Sequence, residues 1–193
     1  MNRLAALSVC LISFGSTAAA SNSQLAKAEI LIIRHAEKPE QGSGLTAAGW
    51  ARAKLYVGYF QHLTLRGKAV HLTHIFASSD SDSSSRPRLT VEPLAAALHM
   101  KVDTRYKNRA YDELVEDLEQ HPYGKEILIC WRHGKIPSLL KSLGVKPKQV
   151  IKDGKWPSNT YDWLIEVPFD GSGNVKTASV KLVKEHLLPG DSR

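Results

Sequence analysis

The sequence predicts an α/β fold with three layers, in which a mostly parallel sheet carries helices on both faces. Short apolar runs rich in β-branched residues are typical of buried strands, and they alternate along the chain with longer segments typical of helices. Strands that alternate with helices pair in parallel, and the crossover helices cover both faces of the sheet. Near the C-terminus two strand-like runs flank a Gly-rich turn, so we expect an antiparallel hairpin to close the sheet.

The first 20 residues have the pattern of a secretory signal peptide. A short positive start is followed by an apolar run over Leu4–Phe14 and by small residues that end at Ala20. We therefore expect cleavage near Ala20, a single domain over residues 21–193, and a periplasmic or secreted location. No later run reaches the roughly 18 apolar residues that a membrane span requires, so we expect no stable span.

The first half of this domain contains two predicted strands and two predicted helices. Four consecutive apolar residues, Ile30–Ile33, predict the first strand, and Pro39 prevents its continuation as a central strand. Thr46 is a natural N-cap for the first helix. The predicted elements are a strand over 29–34, a helix over 47–63, a turn at 66–68, a strand over 74–78 and a helix over 87–99.

The Ser-rich segment 78–85 has the composition of a linker, but it lies between a predicted strand and a predicted helix. Pro87 suits the first turn of that helix, because its missing N–H has no partner there. A strand end, a Ser-rich loop and a helix N-terminus together form an anion site. Arg86 and Arg88 oppose the helix dipole at this position unless an anion is bound, so we interpret the segment as part of a binding site.

The second half of the domain repeats the alternation of strands and helices. A helix over 112–120 carries five carboxylates, which usually form a solvated face, although one of them could turn inward. Gly144 ends a later helix, and Asp170–Asn174 is a hairpin turn. The predicted elements are a short strand at 101–104, helices over 112–120 and 136–143, and strands over 126–131, 161–169 and 175–183.

Two of the predicted strands end in the same dipeptide. Arg34-His35 follows the first strand, and Arg132-His133 follows a later one. Because the carboxyl ends of parallel strands lie at one edge of a sheet, we expect both pairs to meet there, together with Arg86. A guanidinium group matches phosphate oxygens with two hydrogen bonds, and an imidazole can act as a nucleophile toward phosphorus. The pattern therefore predicts a site for a phosphoryl group.

At this point the chain resembles the histidine phosphatase superfamily, which includes the phosphoglycerate mutases. The strand with Arg-His-Ala-Glu is similar to the family's Arg-His-Gly-Glu signature, and three further blocks follow in family order within residues 30–140. The matching segments are Leu31–Glu37, Leu45–Gly49, Arg86 with Thr90, and Ile129–Gly134. The resemblance implies a phosphoglycerate mutase-like fold and a small exported bacterial-type member of the family.

The resemblance also implies a role for each matched residue. His35 is the nucleophile that becomes phosphohistidine, and Arg34, Arg86 and His133 bind the phosphoryl oxygens and stabilise the charge of the transfer. Arg132 stands where the family commonly has glycine. We expect it to take part in substrate binding, where it should narrow the pocket or add a cation contact and so shift the substrate preference.

The resemblance also suggests a general acid. In many members this acid is a Glu about 25 to 30 residues after the middle arginine. Glu113 lies at that distance from Arg86, and Asp112 or Glu116 could replace it. Glu37 is expected to orient the loop instead. Lys135 argues against the acid-phosphatase branch, which has an Asp after the second histidine.

The predicted function is hydrolysis of a phosphomonoester through a phosphohistidine, without a metal or other cofactor. The alternatives are a mutase and a protein that binds a phosphorylated ligand without catalysis. The formal net charge of +7 suits an anionic substrate, either a small phosphorylated compound or a phosphorylated surface glycan or protein. No basic motif with interleaved aromatic residues is present, so nucleic acid is not an expected partner. The oligomeric state stays open.

Overall fold

The computed structural model describes residues 23–191. The predicted signal peptide, residues 1–20, lies outside the described residues. Within 23–191, no helix combines the length and the apolar character needed to cross a membrane.

Between residues 23 and 191 the chain forms eight strands and four α-helices, joined by loops and short 3-10 turns. The strands are β1 Glu29–Arg34, β2 Thr64–Leu65, β3 Lys68–Ala69, β4 His74–Ala77, β5 Val102–Asp103, β6 Glu126–Trp131, β7 Trp163–Pro168 and β8 Lys181–Lys184. The helices are α1 Ala47–Gln61, α2 Arg86–Ala97, α3 Tyr111–Gln120 and α4 Ile136–Ser142.

Six of these strands form one sheet in the order β5-β4-β6-β1-β7-β8. The pairs β5–β4, β4–β6 and β6–β1 are parallel, whereas β7 runs antiparallel to β1 and β8 antiparallel to β7. The predicted α/β class, the mostly parallel sheet and the closing antiparallel hairpin are thereby confirmed.

The helices cover both faces of the sheet because the side chains of each strand alternate between them. Ile30 and Ile32 of β1 pack in a core with α3 and α4, which contribute Leu114, Leu118 and Leu139 among others. The intervening residues of β1 pack in a second core on the opposite face. That core contains Leu31, Ile33, Tyr56, Phe60, Val91 and Leu94, so α1 and α2 cover this face. Both faces of β1 are buried, which explains its continuous apolar run.

Two local features differ from the expectations. The predicted turn at 66–68 is the centre of a small hairpin, β2–β3, that forms a separate two-stranded sheet. The predicted strand over 175–183 is interrupted by a 3-10 turn at Thr177–Ser179, and regular pairing begins only at Lys181. The residues of this turn are exposed, so no apolar burial favours an extended strand over the turn.

The parallel register places three strand ends at one edge of the sheet. Arg34 pairs with Trp131, and Ala77 at the end of β4 pairs with Cys130. The backbone N–H of His35 donates to the carbonyl of Trp131 at 3.0 Å, so the chain leaving β1 stays beside β6. The residues that follow β1, β4 and β6 therefore emerge together.

Candidate active site

His35 lies at the edge of the sheet where β1, β4 and β6 end, and a backbone carbonyl determines its tautomer. Its side chain is buried, and Nδ1 lies 2.7 Å from the carbonyl oxygen of Ala36. A carbonyl oxygen only accepts hydrogen bonds, so Nδ1 must carry the proton. Nε2 then keeps its lone pair, which is the state that a nucleophilic imidazole requires.

His133 brings a second imidazole to the same place. The centroids of the His35 and His133 rings are 6.3 Å apart, and the rings are inclined by 73°. Burial, together with the charges of Arg34 and Arg86, lowers the pKa of His35 to about 3. Burial and the charges of Arg34 and Lys38 lower the pKa of His133 to about 4. Both imidazoles are therefore neutral near pH 7.

Arg34 is fully buried, and one loop holds its guanidinium group in a fixed orientation. Nη1 donates to three carbonyl oxygens, those of Pro157, Ser158 and Thr160, at 3.2, 3.0 and 2.8 Å. The ring of Tyr161 lies 3.8 Å from Cζ, which is a cation–π contact. Burial lowers the pKa of Arg34 to about 10, so the group stays charged at neutral pH. Its Nε and Nη2 atoms are buried and have no hydrogen-bond partner among the described residues.

Arg86 and Arg132 are held in a similar way. Arg86 donates through Nη1 to the carbonyl of Gly42 at 2.9 Å and through Nη2 to that of Ser83 at 3.1 Å. Arg132 donates through Nη2 to Ser81 Oγ at 2.8 Å. Burial and the charge of Arg132 lower the pKa of Arg86, so the two like charges lie close together. In each residue Nε is buried without a partner in the part of the chain described.

Several buried polar atoms without a partner among the described residues belong to the side chains that follow the three strand ends. They include nitrogens of Arg34, Arg86, Arg132 and His133 and the hydroxyl of Ser78, which directly follows β4. Buried polar groups in proteins are normally hydrogen-bonded, and buried cations are normally paired. A tetrahedral oxyanion would satisfy these donors and offset the three guanidinium charges. The arrangement can therefore bind a phosphoryl group beside a nucleophilic imidazole.

Thr90 ties the loop after β1 to α2. The backbone N–H of Ala36 donates to Thr90 Oγ1 at 2.9 Å, and that hydroxyl donates to the carbonyl of Arg86 at 2.8 Å. One buried hydroxyl therefore fixes the position of the chain beside His35 and that of Arg86.

Thr90→Val tests this link, because valine keeps the shape of the side chain but leaves the Ala36 N–H without an acceptor. We expect a loss of about 1–3 kcal/mol in the free energy of unfolding, measured by urea denaturation. Thr177→Val, at an exposed threonine, is the matched control and should change little. An unchanged unfolding free energy for Thr90→Val would remove the proposed link.

Glu37 and Gly49 complete the support of this loop. The Glu37 carboxylate accepts from Arg52 Nε at 3.0 Å and from Nη2 at 2.7 Å, so it is held by a buried guanidinium group. Its carbonyl oxygen lies where a Cβ on Gly49 would come within 2.6 Å, so only glycine fits at that position of α1. Thr46, the predicted N-cap, accepts from the Gly49 N–H at 3.0 Å.

The sequence-predicted acids lie on α3, where the structure leaves them exposed. Asp112, Glu113 and Glu116 are all on the solvent side of the helix. Ser142 Oγ donates to Asp112, whereas the Glu113 carboxylate makes no hydrogen bond or ion pair with any residue in the range 23–191. The structure therefore brings His35, His133, Arg34, Arg86 and Arg132 together but joins none of these acids to them.

Sequence reasoning missed the loop over residues 157–161. This loop precedes β7, which runs antiparallel to β1. In that pairing Ile33, near the end of β1, lies opposite Leu164, near the start of β7. The start of β7 therefore lies at the edge where β1 ends, and the loop reaches Arg34. Trp156-Pro157 was the only local signal, and it indicates a loop without saying what the loop contacts.

The neutral state of the buried histidines predicts a stability that depends on pH. The native pKa values lie below the ordinary value of 6.5, so the unfolded chain binds more protons at acid pH and the free energy of unfolding falls as pH is lowered. For His35 we expect about 2–3 kcal/mol of loss between pH 6.5 and pH 4.5.

Urea denaturation at the two pH values measures this loss. His35→Asn removes the titrating group, so its loss should be smaller by that amount. His71→Ala, at an exposed histidine, should behave like the wild type. A variant at His35 that loses as much stability as the wild type would contradict the neutral, buried state of His35.

No group of three or more His, Cys, Asp or Glu side chains within the described residues is placed to hold a metal ion.

Comparisons with known proteins bear on the fold. The α-ribazole phosphatase from Shigella flexneri is similar, with a TM-score of 0.54 and 12% identity over 86% of this chain and 100% of that chain. The protein histidine phosphatase SixA, solved in complex with tungstate, has a TM-score of 0.53 and 15% identity over 79% of this chain and 95% of that chain. A phosphoglycerate mutase from Bacillus anthracis str. Sterne has a TM-score of 0.52 and 11% identity over 81% of this chain and 93% of that chain.

These solved structures are histidine phosphatase superfamily members, and at such identities they show a shared fold. The predicted phosphoglycerate mutase-like fold is thereby confirmed. No protein-family model matches the chain, and no curated protein sequence matches it.

Proposed function

We propose that this chain is a phosphatase that hydrolyses a phosphomonoester through a phosphohistidine on Nε2 of His35. One observation supports the proposal most strongly. The proton of neutral His35 is on Nδ1, and Arg34, Arg86 and His133, which lie near enough to influence its pKa, each carry a buried nitrogen with no partner among the described residues. The solved proteins that share this fold include two phosphatases and a phosphoglycerate mutase, so the fold is compatible with phosphoryl transfer.

Phosphoryl transfer proceeds in two steps in this proposal. The Nε2 lone pair of His35 forms a bond to phosphorus, and the bond from phosphorus to the leaving oxygen breaks. Water then attacks phosphorus, the P–N bond breaks, and its electron pair returns to Nε2. Three guanidinium groups, those of Arg34, Arg86 and Arg132, stabilise the phosphoryl oxygens throughout, because hydrogen bonds fix their orientation before substrate binds. An N–H of His133 is a further donor to these oxygens.

The proton donor to the leaving oxygen is a separate part of the proposal. The resemblance implies Glu113, with Asp112 or Glu116 as substitutes. An aryl leaving group departs with little protonation, whereas an alkyl leaving group needs an acid. If Glu113 is the acid, Glu113→Gln lowers turnover of alkyl phosphates far more than that of aryl phosphates. Equal effects on both substrate types remove Glu113 from this role.

The substrate class and the location follow from charge and from the N-terminal pattern. A basic protein with a cationic pocket suits a small phosphorylated compound or a phosphorylated surface glycan or protein. Export of the domain over residues 21–193 to the periplasm or medium is proposed from the signal-peptide pattern. Fractionation of producing cells, with N-terminal sequencing of the protein found outside the cytoplasm, tests the location and the cleavage site.

A screen of phosphomonoesters with the intact chain tests the function itself. We expect release of inorganic phosphate, an acid-labile and base-stable phosphoenzyme after rapid quenching, and competitive inhibition by tungstate. Turnover should persist after EDTA treatment, because no proposed step uses a metal. Transfer of the phosphoryl group back to the product would indicate the mutase alternative. Tungstate binding without any turnover would indicate the non-catalytic alternative.

A further inference from the structure

Hydrolysis of an alkyl phosphate by the proposed function needs an acid close to His35, and two carboxylates suggested by the sequence, Glu113 and Glu37, do not suit this role. Glu113 is exposed and has no polar partner. Glu37 is nearer, since its charge influences Arg34, but Arg52 holds its carboxylate with two hydrogen bonds. Both hydrogen bonds engage this carboxylate with Arg52 and not with the space beside His35.

Tyr161 is the protic side chain that the structure places beside the nucleophile. The centroids of the Tyr161 and His35 rings are 6.4 Å apart, and the Tyr161 ring lies 3.8 Å from Cζ of Arg34. Burial lowers the pKa of Arg34 and of Arg86, and the phenol oxygen of Tyr161 partly offsets this lowering in both. The phenol oxygen is therefore within electrostatic reach of two phosphate-facing guanidinium groups.

The hydroxyl of Tyr161 is free to bind a ligand. It makes no hydrogen bond with any residue between 23 and 191, and the side chain is half-buried. Its backbone, in contrast, is firmly held. The carbonyl of the preceding residue, Thr160, accepts from Arg34 Nη1 at 2.8 Å and from Trp156 Nε1 at 2.9 Å. The loop therefore holds the Tyr161 ring beside His35 and leaves its hydroxyl available to a ligand.

We propose that Tyr161 is the general acid that protonates the leaving oxygen of an alkyl phosphomonoester. As the bond from phosphorus to that oxygen breaks, its electron pair takes the phenol proton, and Arg34 and Arg86 stabilise the phenolate that forms. In the second step the phenolate takes a proton from the water that attacks phosphorus, which restores the phenol. A phenol is a stronger acid than an aliphatic alcohol, so this transfer runs in the favourable direction. The inference rests on the proposed function.

Tyr161→Phe tests this role, because phenylalanine keeps the ring stacked on Arg34 and removes only the hydroxyl. We expect kcat for an alkyl phosphate to fall by about 10²–10³-fold, while that for p-nitrophenyl phosphate stays within a few-fold. Tungstate affinity should be unchanged.

Two further variants separate the hydroxyl from the ring. Tyr161→Leu removes the stacking on Arg34, so it should weaken tungstate binding and lower turnover of both substrate types. Tyr111→Phe, at a tyrosine on α3 with no hydrogen bond in the described chain, is the matched control and should match the wild type.

Several outcomes overturn the inference. Full turnover of the alkyl phosphate by Tyr161→Phe eliminates the acid role while leaving the proposed function intact. Equal losses on both substrate types reduce Tyr161 to a positioning residue. A selective loss in Glu113→Gln with none in Tyr161→Phe assigns the acid to Glu113. A wild-type protein that turns over no phosphomonoester overturns the proposed function, and the inference with it.

Discussion

Replacement of His35 by asparagine is expected to lower kcat for a phosphomonoester by roughly 10⁴–10⁶-fold, the loss typical of removing a catalytic nucleophile. Asparagine has no ring nitrogen to form the P–N bond. Its side-chain amide can still donate to the carbonyl of Ala36, as Nδ1 of His35 does at 2.7 Å. The variant should therefore fold at neutral pH and bind tungstate, because the guanidinium donors remain. Steady-state turnover of p-nitrophenyl phosphate and tungstate inhibition measure the two properties.

The matched control is His71→Ala, because His71 is an exposed histidine on the approach to β4. It should retain wild-type turnover. The quenched phosphoenzyme should be present in the wild type and in His71→Ala, and absent in His35→Asn. If His35→Asn turned over substrate within about tenfold of the wild-type rate, the phosphohistidine mechanism would be contradicted, since a nucleophile contributes far more than this.

Arg34→Lys is expected to lower kcat/KM by about 10²–10³-fold, as for loss of a preorganised donor to a developing oxyanion. The three N–H groups of a lysine ammonium can occupy the position of Nη1 and donate to the same loop carbonyls. In Arg34 the loop carbonyls use Nη1, and Nε and Nη2 have no partner among the described residues. A lysine held by the same carbonyls has no atoms that correspond to Nε and Nη2. A planar fork is thus replaced by a point charge, so the substitution is not conservative at this site.

Arg88→Lys is the matched control for this change. Arg88 lies two residues after Arg86 and forms ion pairs with Asp80 and Glu92 at the surface. Exposed pairs of this kind contribute little, so this variant should keep its kcat/KM and its tungstate affinity. Arg34→Lys should lose both while its circular dichroism spectrum stays native. Undiminished tungstate affinity in Arg34→Lys would contradict the assignment of Arg34 to oxyanion binding.

The position of His35 could be predicted from the sequence, whereas the hydrogen bonding of Arg34 could not. His35 follows an apolar strand directly, so its position at the sheet edge could be predicted from the strand alone. The free edge of Arg34 could not be predicted, because it depends on which of its nitrogens the loop over 157–161 occupies. That loop is more than 120 positions away along the chain.

For the acids of α3, the sequence predicted their position along the helix but not the direction in which they face. Their spacing along the sequence places Glu113 in the window of a family pattern, and the helix itself forms as predicted. Which side of the helix faces inward is decided by the burial of Leu114, Val115 and Leu118 against the core. Apolar burial turns Glu113 toward solvent, and a tyrosine from a distant loop lies beside His35 instead.

The sequence by itself determined the local elements, the α/β class and the residues that stand at the strand ends. Apolar periodicity and turn residues report directly on a segment's own conformation, so these features are local. Only the tertiary structure decided what lies opposite His35. The antiparallel direction of β7 brings the start of that strand, and the loop before it, to the edge where β1 ends. Had β7 run parallel, Tyr161 and the carbonyls that orient Arg34 would lie at the opposite edge of the sheet.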